Sequence, residues 1–392
     1  MAVSTENPAP RWCISDVEQR AWAVGVDVAA KYADEVDRDA RFPAEAVDAM
    51  RAAGLLSAMI PTELGGEGAP LAQVAGAVRA LAAHCSAAAL VLAMHQIEIW
   101  YLVNHGDTEG LRNLLRSVVT DGVLIANANS EVGRGGDIGN SDCAVELSGG
   151  GTFRLEKDIL AMSYGEAADA VMLTARRAPD AATNDQVIVV CGPGTYTLQQ
   201  TSGWDTTGLR GTCSGGYLLV ANERDDMILP KSWADIANHS VGASVILLNS
   251  AWLGIAEAAA ARAHAYVRAD ARRKIGVTPA TAPLLTELVV TLGEARSVMA
   301  TTIARFEAAL AADDLEDPGL MLVLRNLKLS STTLAIEIVT KASLICGLAG
   351  YKRDSPYSMD RYMRDVLGGP LMAHNSRFLV DNTRLLLAMK GI

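Results

Sequence analysis

The texture of this sequence changes twice along its length, and those two changes restrict the folds open to it more than any other feature. From Asp16 to about Asp121, apolar residues recur at intervals of three and four, beginning with Val17-Glu18-Gln19-Arg20-Ala21-Trp22, the spacing of one buried helical face. Pro43 opens a helix that Gly54 stops, and the turn-rich Pro61-Thr62-Glu63-Leu64-Gly65-Gly66-Glu67-Gly68 interrupts the pattern. Long apolar helices follow at about Leu71 to Ala83 and Ala87 to Val103. Beyond Gly122 short apolar runs lie between Gly, Asn and Asp. Val123 to Ala126, Ala144 to Leu147, Phe153 to Leu155, Ala170 to Thr174, Val187 to Val190 and Tyr217 to Val220 read as strands. With no long helix among them, strands this dense over about 100 residues predict an antiparallel barrel or sandwich. After Pro230 the helical period returns, with long segments near Val241 to Ala269, Pro283 to Ala312 and Leu320 to Cys346.

The expected fold is therefore α+β and multidomain: an N-terminal α-helical domain over 1–122, a central β-domain over 123–229 and a C-terminal α-helical domain over 230–392. At 392 residues the chain exceeds what one hydrophobic core supports, and the absence of a low-complexity linker points to one fused body. Half the residues are apolar but only 5% are aromatic, so Ala, Leu and Val must supply the packing, as they do in helical proteins. The apolar face of the last long helices is richer than one subunit can cover, which predicts a homodimer or homotetramer.

Composition also excludes function classes. The 34 Lys and Arg against 45 Asp and Glu give a formal charge of −11, with no basic tract, which argues against nucleic acid as a partner. Charged residues interrupt each Ala-Leu-Val stretch, so no membrane span is expected. The opening residues carry no apolar core for a signal peptide, and the chain reads as cytoplasmic. Cys13, Cys85, Cys143, Cys191, Cys213 and Cys346 lie far apart, with no Cys/His grouping at metal-ligand spacing, and read as reduced thiols.

Five local stretches, in order, resemble one family. They are Arg41-Phe42-Pro43 with Leu64-Gly65-Gly66-Glu67-Gly68; Ser130-Glu131-Val132-Gly133-Arg134-Gly135-Gly136-Asp137; Gly208-Leu209-Arg210-Gly211-Thr212-Cys213-Ser214; Cys346-Gly347-Leu348-Ala349-Gly350-Tyr351; and Met363-Arg364-Asp365. Together they make the chain similar to the acyl-CoA dehydrogenases over nearly its whole length. The resemblance implies a β-domain clasped between helical domains, the last a four-helix bundle. It also implies FAD as cofactor, an acyl-CoA or acyl-carrier-protein thioester as substrate, and an electron-transfer partner.

A flavin needs backbone groups along its polar edges and one open face. The resemblance places Ala128, Asn129, Ser130 and Gly136 along the flavin ring, where glycines let the backbone approach closely. Val132 stands in the place of the family's Pro, and Gly136 in that of its Ser. Ala161, Met162 and Ser163 occupy the second flavin segment, with Ser163 at the hydroxyl position that contacts the flavin N5. Counting from Lys157 instead shifts that frame by two residues, and a hydroxyl at a strand end equally makes a local turn. For the pyrophosphate, the resemblance points to Arg272 or Arg273 and to Gly347 and Leu348 of a neighbouring subunit, with Asn375 at the flavin as well. Arg suits phosphate through paired charged hydrogen bonds, although Arg272-Arg273-Lys274 equally suits a solvated helix end.

Dehydrogenation beside a thioester requires a base for the α-proton, and the family uses Glu in one of two places. Here those places hold Ala373 and Ser244. His374 is the substitute favoured by chemistry, since imidazole titrates near neutral pH, and Glu131 is a second candidate acid or base. The small Gly136, Ala161 and Ala373 predict a roomy pocket. The leading expectation is an acyl thioester dehydrogenase. A flavin monooxygenase, N-hydroxylase or oxidase on the same fold is the alternative that the missing acids favour, and a scaffold subunit with degraded flavin contacts is the non-enzymatic one.

Overall fold

The computed structural model describes residues 10, 13–134 and 137–389. Ser15 starts the first helix through a capping box, its hydroxyl taking the Glu18 N–H at 3.3 Å while Glu18 takes the Ser15 N–H at 2.8 Å. That helix, α1 (Asp16–Val24), runs through a π-helical turn (Gly25–Ala29) into α2 (Ala30–Arg38). There follow α3 (Ala44–Ala52), α4 (Leu71–Ala82), α5 (Ser86–His105) and α6 (Glu109–Asp121). Helix α5 is buried nearly all round, which is why its sequence shows no polar face.

The middle of the chain forms two four-stranded sheets. The strands are β1 (Ile125–Asn127), β2 (Glu146–Gly149), β3 (Thr152–Ile159), β4 (Ala170–Arg176), β5 (Gln186–Cys191), β6 (Tyr196–Ser202), β7 (Gly216–Arg224) and β8 (Ile228–Ser232). One sheet has the order β1-β4-β5-β8 and the other β2-β3-β7-β6. Residues of β3 alternate between exposed and buried, whereas β4 and β5 are buried on both faces. Two features differ from the sequence reading. The β1–β4 pair is parallel, from Ile125 opposite Ala170 to Asn127 opposite Met172, so the sheets are not wholly antiparallel. Strands β6 and β8 were not predicted. Both are edge strands, one polar on both sides and the other carrying Pro230, which an edge tolerates because the missing N–H faces away from the ladder.

Helix α7 (Trp233–Arg273) begins eight residues before the predicted segment, because Ser232 and Asp235 form a second capping box. Then come α8 (Ala282–Ala312), α9 (Pro318–Cys346), α10 (Leu348–Tyr351), α11 (Asp360–Val366), α12 (Gly368–Leu371) and α13 (Asn375–Ala388). Helices α7, α8 and α9 pack on one another, and α13 lies along α9 as the fourth member. Helix α7 also packs on α4 and α5, fusing the two helical regions. Gly254 makes that close approach possible, since a Cβ there would run into the Arg79 carbonyl and Ala82. Across the same seam, buried Glu257 receives Arg79 Nε and Arg296 Nε, each at 2.6 Å.

The expectation of no membrane-spanning length is corrected: α5, α9 and the Val241–Arg273 part of α7 are long and apolar enough to cross a bilayer. In α5 and α7, however, 89% and 78% of the apolar window is buried inside the protein. All six cysteines are unpaired.

Candidate functional site

The Ser130 loop leaves the end of β1 under strict backbone control. The Ala128 N–H donates to Met172 O at 2.8 Å, and Asn129 Oδ1 accepts the Thr174 N–H at 2.9 Å, so the side chain prolongs the sheet after the strand has ended. Ser130 Oγ donates to Ala161 O at 2.6 Å and accepts the Ala161 N–H at 3.0 Å, stitching this loop to the one after β3. Glu131 is buried. Its Oε1 accepts the N–H groups of Asp142 and Cys143 at 2.8 and 3.0 Å, and its Oε2 accepts Ser141 Oγ at 2.7 Å. Lys157 Nζ stands 3.7 Å from the same oxygen and donates to Thr174 O at 2.7 Å, with burial pushing the ammonium below its ordinary range. Both oxygens of Glu131, a candidate acid or base in the sequence, are taken up in holding the loop together. Gly136 lies outside the described residues.

The second loop is equally bound. Met162 is wholly buried and its N–H donates to Gly215 O at 2.8 Å. Ser163 Oγ lies 2.8 Å from Ser214 Oγ, which lies 2.8 Å from Thr212 Oγ1, so three hydroxyls form one chain with Ser163 at its half-buried end. Tyr164 donates through its hydroxyl to Ile125 O at 3.0 Å and has φ 45°. With Leu209 at 55° and Cys213 at 48°, three side-chain-bearing residues in facing loops adopt the left-handed region, a concentration of strain that surrounding structure must enforce.

Part of that enforcement comes from the Arg364-Asp365 pair. Asp365 is buried and accepts the Leu209 N–H at 2.7 Å and the Ser86 hydroxyl, while burial pushes its carboxyl up. Gly208 packs directly on the Arg364 carbonyl, leaving no room for a Cβ. Arg364 reaches Asp37 and Asp360 at 2.8 Å each and Thr207 O at 3.0 Å. One short helix thereby joins α2, α5 and the 207–214 loop.

Eight residues past Asp365 the construction changes. Ala373 and His374 are exposed and both have positive φ, 54° and 33°, in the turn between α12 and α13. Helix α9 grips this turn from beneath: Lys328 donates to Gly369 O, and Thr332 Oγ1, one turn later, accepts Asn375 Nδ2 at 3.0 Å. Burial pushes the Lys328 ammonium down to about 8, and the buried Asn375 Oδ1 has no hydrogen-bond partner. Arg377 Nη2 lies 3.8 Å from Asp137 Oδ1, which fastens α13 to the loop that Ser130 begins.

Thus Ala128, Asn129, Ser130, Ala161, Met162 and Ser163 form one corner, and His374 and Asn375 sit on a turn linked to it. Ser244 is half-buried in α7. Arg272, Arg273 and Leu348 are exposed, and Gly347 has φ 55° at the end of α9. Arg273 pairs with Asp270 of its own helix at 3.4 Å. Within one chain, and among the described residues, none of these four is hydrogen-bonded to the Ser130 or Ser163 loops.

Sequence reasoning missed a buried polar trio on α5. His95 Nδ1 accepts the Ile125 N–H at 3.1 Å and its Nε2 meets Leu56 O at 2.9 Å, while Gln96 donates to Leu55 O and Leu56 O. Glu98 accepts Asn127 Nδ2 at 2.8 Å on one oxygen and nothing on the other, and burial pushes its carboxyl up to about 8. Three polar residues inside a long apolar run were the available signal.

Comparison with known proteins follows the same outline. Residues 18–121 match the family described as acyl-CoA dehydrogenase, N-terminal domain, and residues 235–373 that described as acyl-CoA dehydrogenase, C-terminal domain. A probable acyl-CoA dehydrogenase of Mycobacterium tuberculosis is 25% identical over 350 residues, covering 86% of this chain and 85% of its own. An amino sugar nitrososynthase of Streptomyces peucetius is also 25% identical over 350 residues, with coverage of 86% and 84%. The crystal structure of dibenzothiophene monooxygenase from a Paenibacillus species superposes with a TM-score of 0.82 at 19% identity, covering 96% of this chain and 98% of that one.

Proposed function

The chain belongs to the acyl-CoA dehydrogenase family, a family of flavoproteins, and on that premise we propose that it is an FAD-dependent oxidoreductase that forms a C=C bond in an acyl thioester carried on coenzyme A or an acyl carrier protein. The observation that carries this reading is the Arg377–Asp137 link, which fastens the His374 turn to the loop that resembles the family's flavin loop. The residues fit a flavin on this structure's own evidence. Asn375 Oδ1 is a buried acceptor without a partner, Ser163 is the half-buried end of a hydroxyl chain, and Gly133 sits at φ 82° with open space where a Cβ would project. Ser163 and Asn375 would hold the ring edges. A bound flavin supplies the hydride acceptor.

His374 then takes the α-proton through its exposed imidazole. Thr332 orients the turn through Asn375, and Lys328 holds it through Gly369. Glu98, whose carboxyl burial pushes up to about 8, holds Asn127 at the β1 end as an acceptor. The exposed Leu344, Leu348, Tyr351, Leu379 and Leu387 on α9, α10 and α13 support a homodimer or homotetramer, whose second copy would bring Arg272 or Arg273 to the pyrophosphate. We place the protein in the cytoplasm, with an electron-transfer partner reoxidising the flavin.

A second reading is an oxygen-using flavin enzyme, favoured by Ala373 and Ser244 at both family base positions and by the likeness to a nitrososynthase. One experiment separates the two: purified protein reconstituted with FAD is mixed anaerobically with saturated acyl thioesters. Bleaching of the flavin by a thioester supports dehydrogenation. Flavin that stays oxidised, but consumes oxygen with substrate once an external reductase reduces it, assigns the second reading.

A further inference from the structure

A cleft of about 730 Å³ opens between α2, the end of α4, the 207–210 loop, α7 and residues 353–364, and neither Ser130, Ser163 nor His374 lines it. Its charge is unlike that of the rest of the chain. Arg38, Arg210, Arg262, Arg353, Arg361 and Arg364 line it against Asp34, Asp37 and Asp360, in a protein whose formal charge is −11. Half of these arginines have partners close by. Arg38 pairs with Asp39 at 2.8 Å, Arg210 with Asp205 at 3.0 Å, and Arg364 with both Asp37 and Asp360.

The other three are under-neutralised. Arg262 has no carboxylate among its described contacts; it donates to Ser358 O and to the Tyr362 hydroxyl at 3.2 Å, and its guanidinium lies 4.8 Å from the Tyr362 ring centre. Arg361 donates to His84 O at 3.2 Å, but its Nε makes no hydrogen bond; of the carboxylates that act on it, Asp34 at 3.5 Å is 93% exposed to water and the buried Asp365 is shared with the Leu209 N–H and the Ser86 hydroxyl. Arg353 is exposed at the rim and shares Asp360, at 3.3 Å, with Arg364. Beside Arg361, burial and the neighbouring guanidinium keep the His84 imidazole neutral, and its Nε2 has no partner.

We infer that this cleft binds the phosphate of a small phosphorylated molecule, with Arg262 and Arg361 on its floor and Arg353 closing over it. Guanidinium groups arriving from separate elements match a group that carries two charges and several acceptor oxygens, and a forked donor favours phosphate over a single carboxylate. Size points the same way. The Arg361 side chain is only 14% exposed, which puts it out of reach of a flat protein surface, whereas the cleft volume accommodates a nucleotide-sized ligand.

The test is calorimetric titration of the full-length protein, saturated with FAD so that the flavin site is closed, using orthophosphate, pyrophosphate and ADP as probes. One saturable site per chain is expected, weakened at least about tenfold by Arg353→Glu and lost in Arg361→Gln. ADP binding tighter than pyrophosphate identifies a nucleoside diphosphate as the occupant; equal affinities identify the phosphate group alone. Absence of saturable binding up to ~1 mM for all three probes, or unchanged affinity in Arg353→Glu, overturns the inference. Arg353 is a rim residue, so that variant decides the matter even if Arg361→Gln fails to fold.

Discussion

The corner of Ser130, Ala161 and Ser163 and the turn of Ala373, His374 and Asn375 are linked through the Arg377–Asp137 contact but are built on opposite principles. In the corner, side chains are committed to backbone or to one another, and the strained Tyr164 and Cys213 are buried or half-buried within that network. In the turn, the strained residues are exposed, and the buried Asn375 Oδ1 lacks a partner. Strain that is fully supported fixes a shape. Strain at the surface, beside an unsatisfied acceptor, marks a group held ready for something absent from the chain itself.

The strongest way to break this comparison is His374→Ala. General acid–base groups contribute roughly 10²–10⁴ in rate, so turnover should fall by about that factor. Because the ring is exposed, the melting temperature should stay nearly unchanged. Full turnover in this variant would reduce the turn to a structural loop like the corner. Glu98→Gln tests the other side. The folded carboxyl titrates near 8 rather than its ordinary 4.5, so the folded state holds a proton that the unfolded state releases. Its contribution is fully present below about pH 4.5, declines as pH rises, and is gone above about 8. The glutamine variant should therefore be the more stable protein at pH 9, by up to ~4 kcal/mol, with little difference at pH 4. Parallel melting curves across pH would show that Glu98 is not buried as a carboxylic acid.

The order of helices, strands and helices was legible because period alone separates them, 3.6 against 2. What escaped has physical causes. The edge strand β6 is polar on both faces, Pro230 reads as a break although β8 runs through it, and the Ser232/Asp235 capping box starts α7 ahead of the apolar segment near Val241. At the site, local motifs located the Ser130 and Ser163 loops but gave no view of partners distant in sequence. Nothing in the sequence signals that Ser141, Asp142 and Cys143 surround Glu131, and Lys328 and Glu98 acquire meaning only when α9 and α5 are set against their neighbours.

Asp365→Ala measures how firmly the corner is held. It removes the acceptor of the Leu209 N–H and the Ser86 hydroxyl, leaving both buried groups to find other partners. Losing a buried charge-assisted pair of bonds costs about 3 kcal/mol, read as a drop in the urea midpoint at constant slope. The matching change on the turn side, Asp137→Ala, breaks the 3.8 Å contact with Arg377 and the half-exposed hydrogen bonds from the Gly139 N–H at 3.0 Å and Asn140 Nδ2 at 2.9 Å, and should cost about 1 kcal/mol. Similar losses would mean that corner and turn are equally rigid.

The smallest effect sharpens the comparison most. Ala373 at φ 54° pays for a left-handed conformation that costs an L residue roughly 1–2 kcal/mol, while glycine adopts it freely but loses more chain entropy on folding. The net for Ala373→Gly is a gain of about 0.5 kcal/mol, measurable as a rise in melting temperature. If the strained backbone aims His374, the same variant should lose turnover while gaining stability, because the imidazole then samples more than one direction. A gain in stability with full turnover would leave the strain as an accident of chain connection between α12 and α13. A change in neither would mean that the turn relaxes in solution, and the contrast with the corner would rest on Asn375 alone.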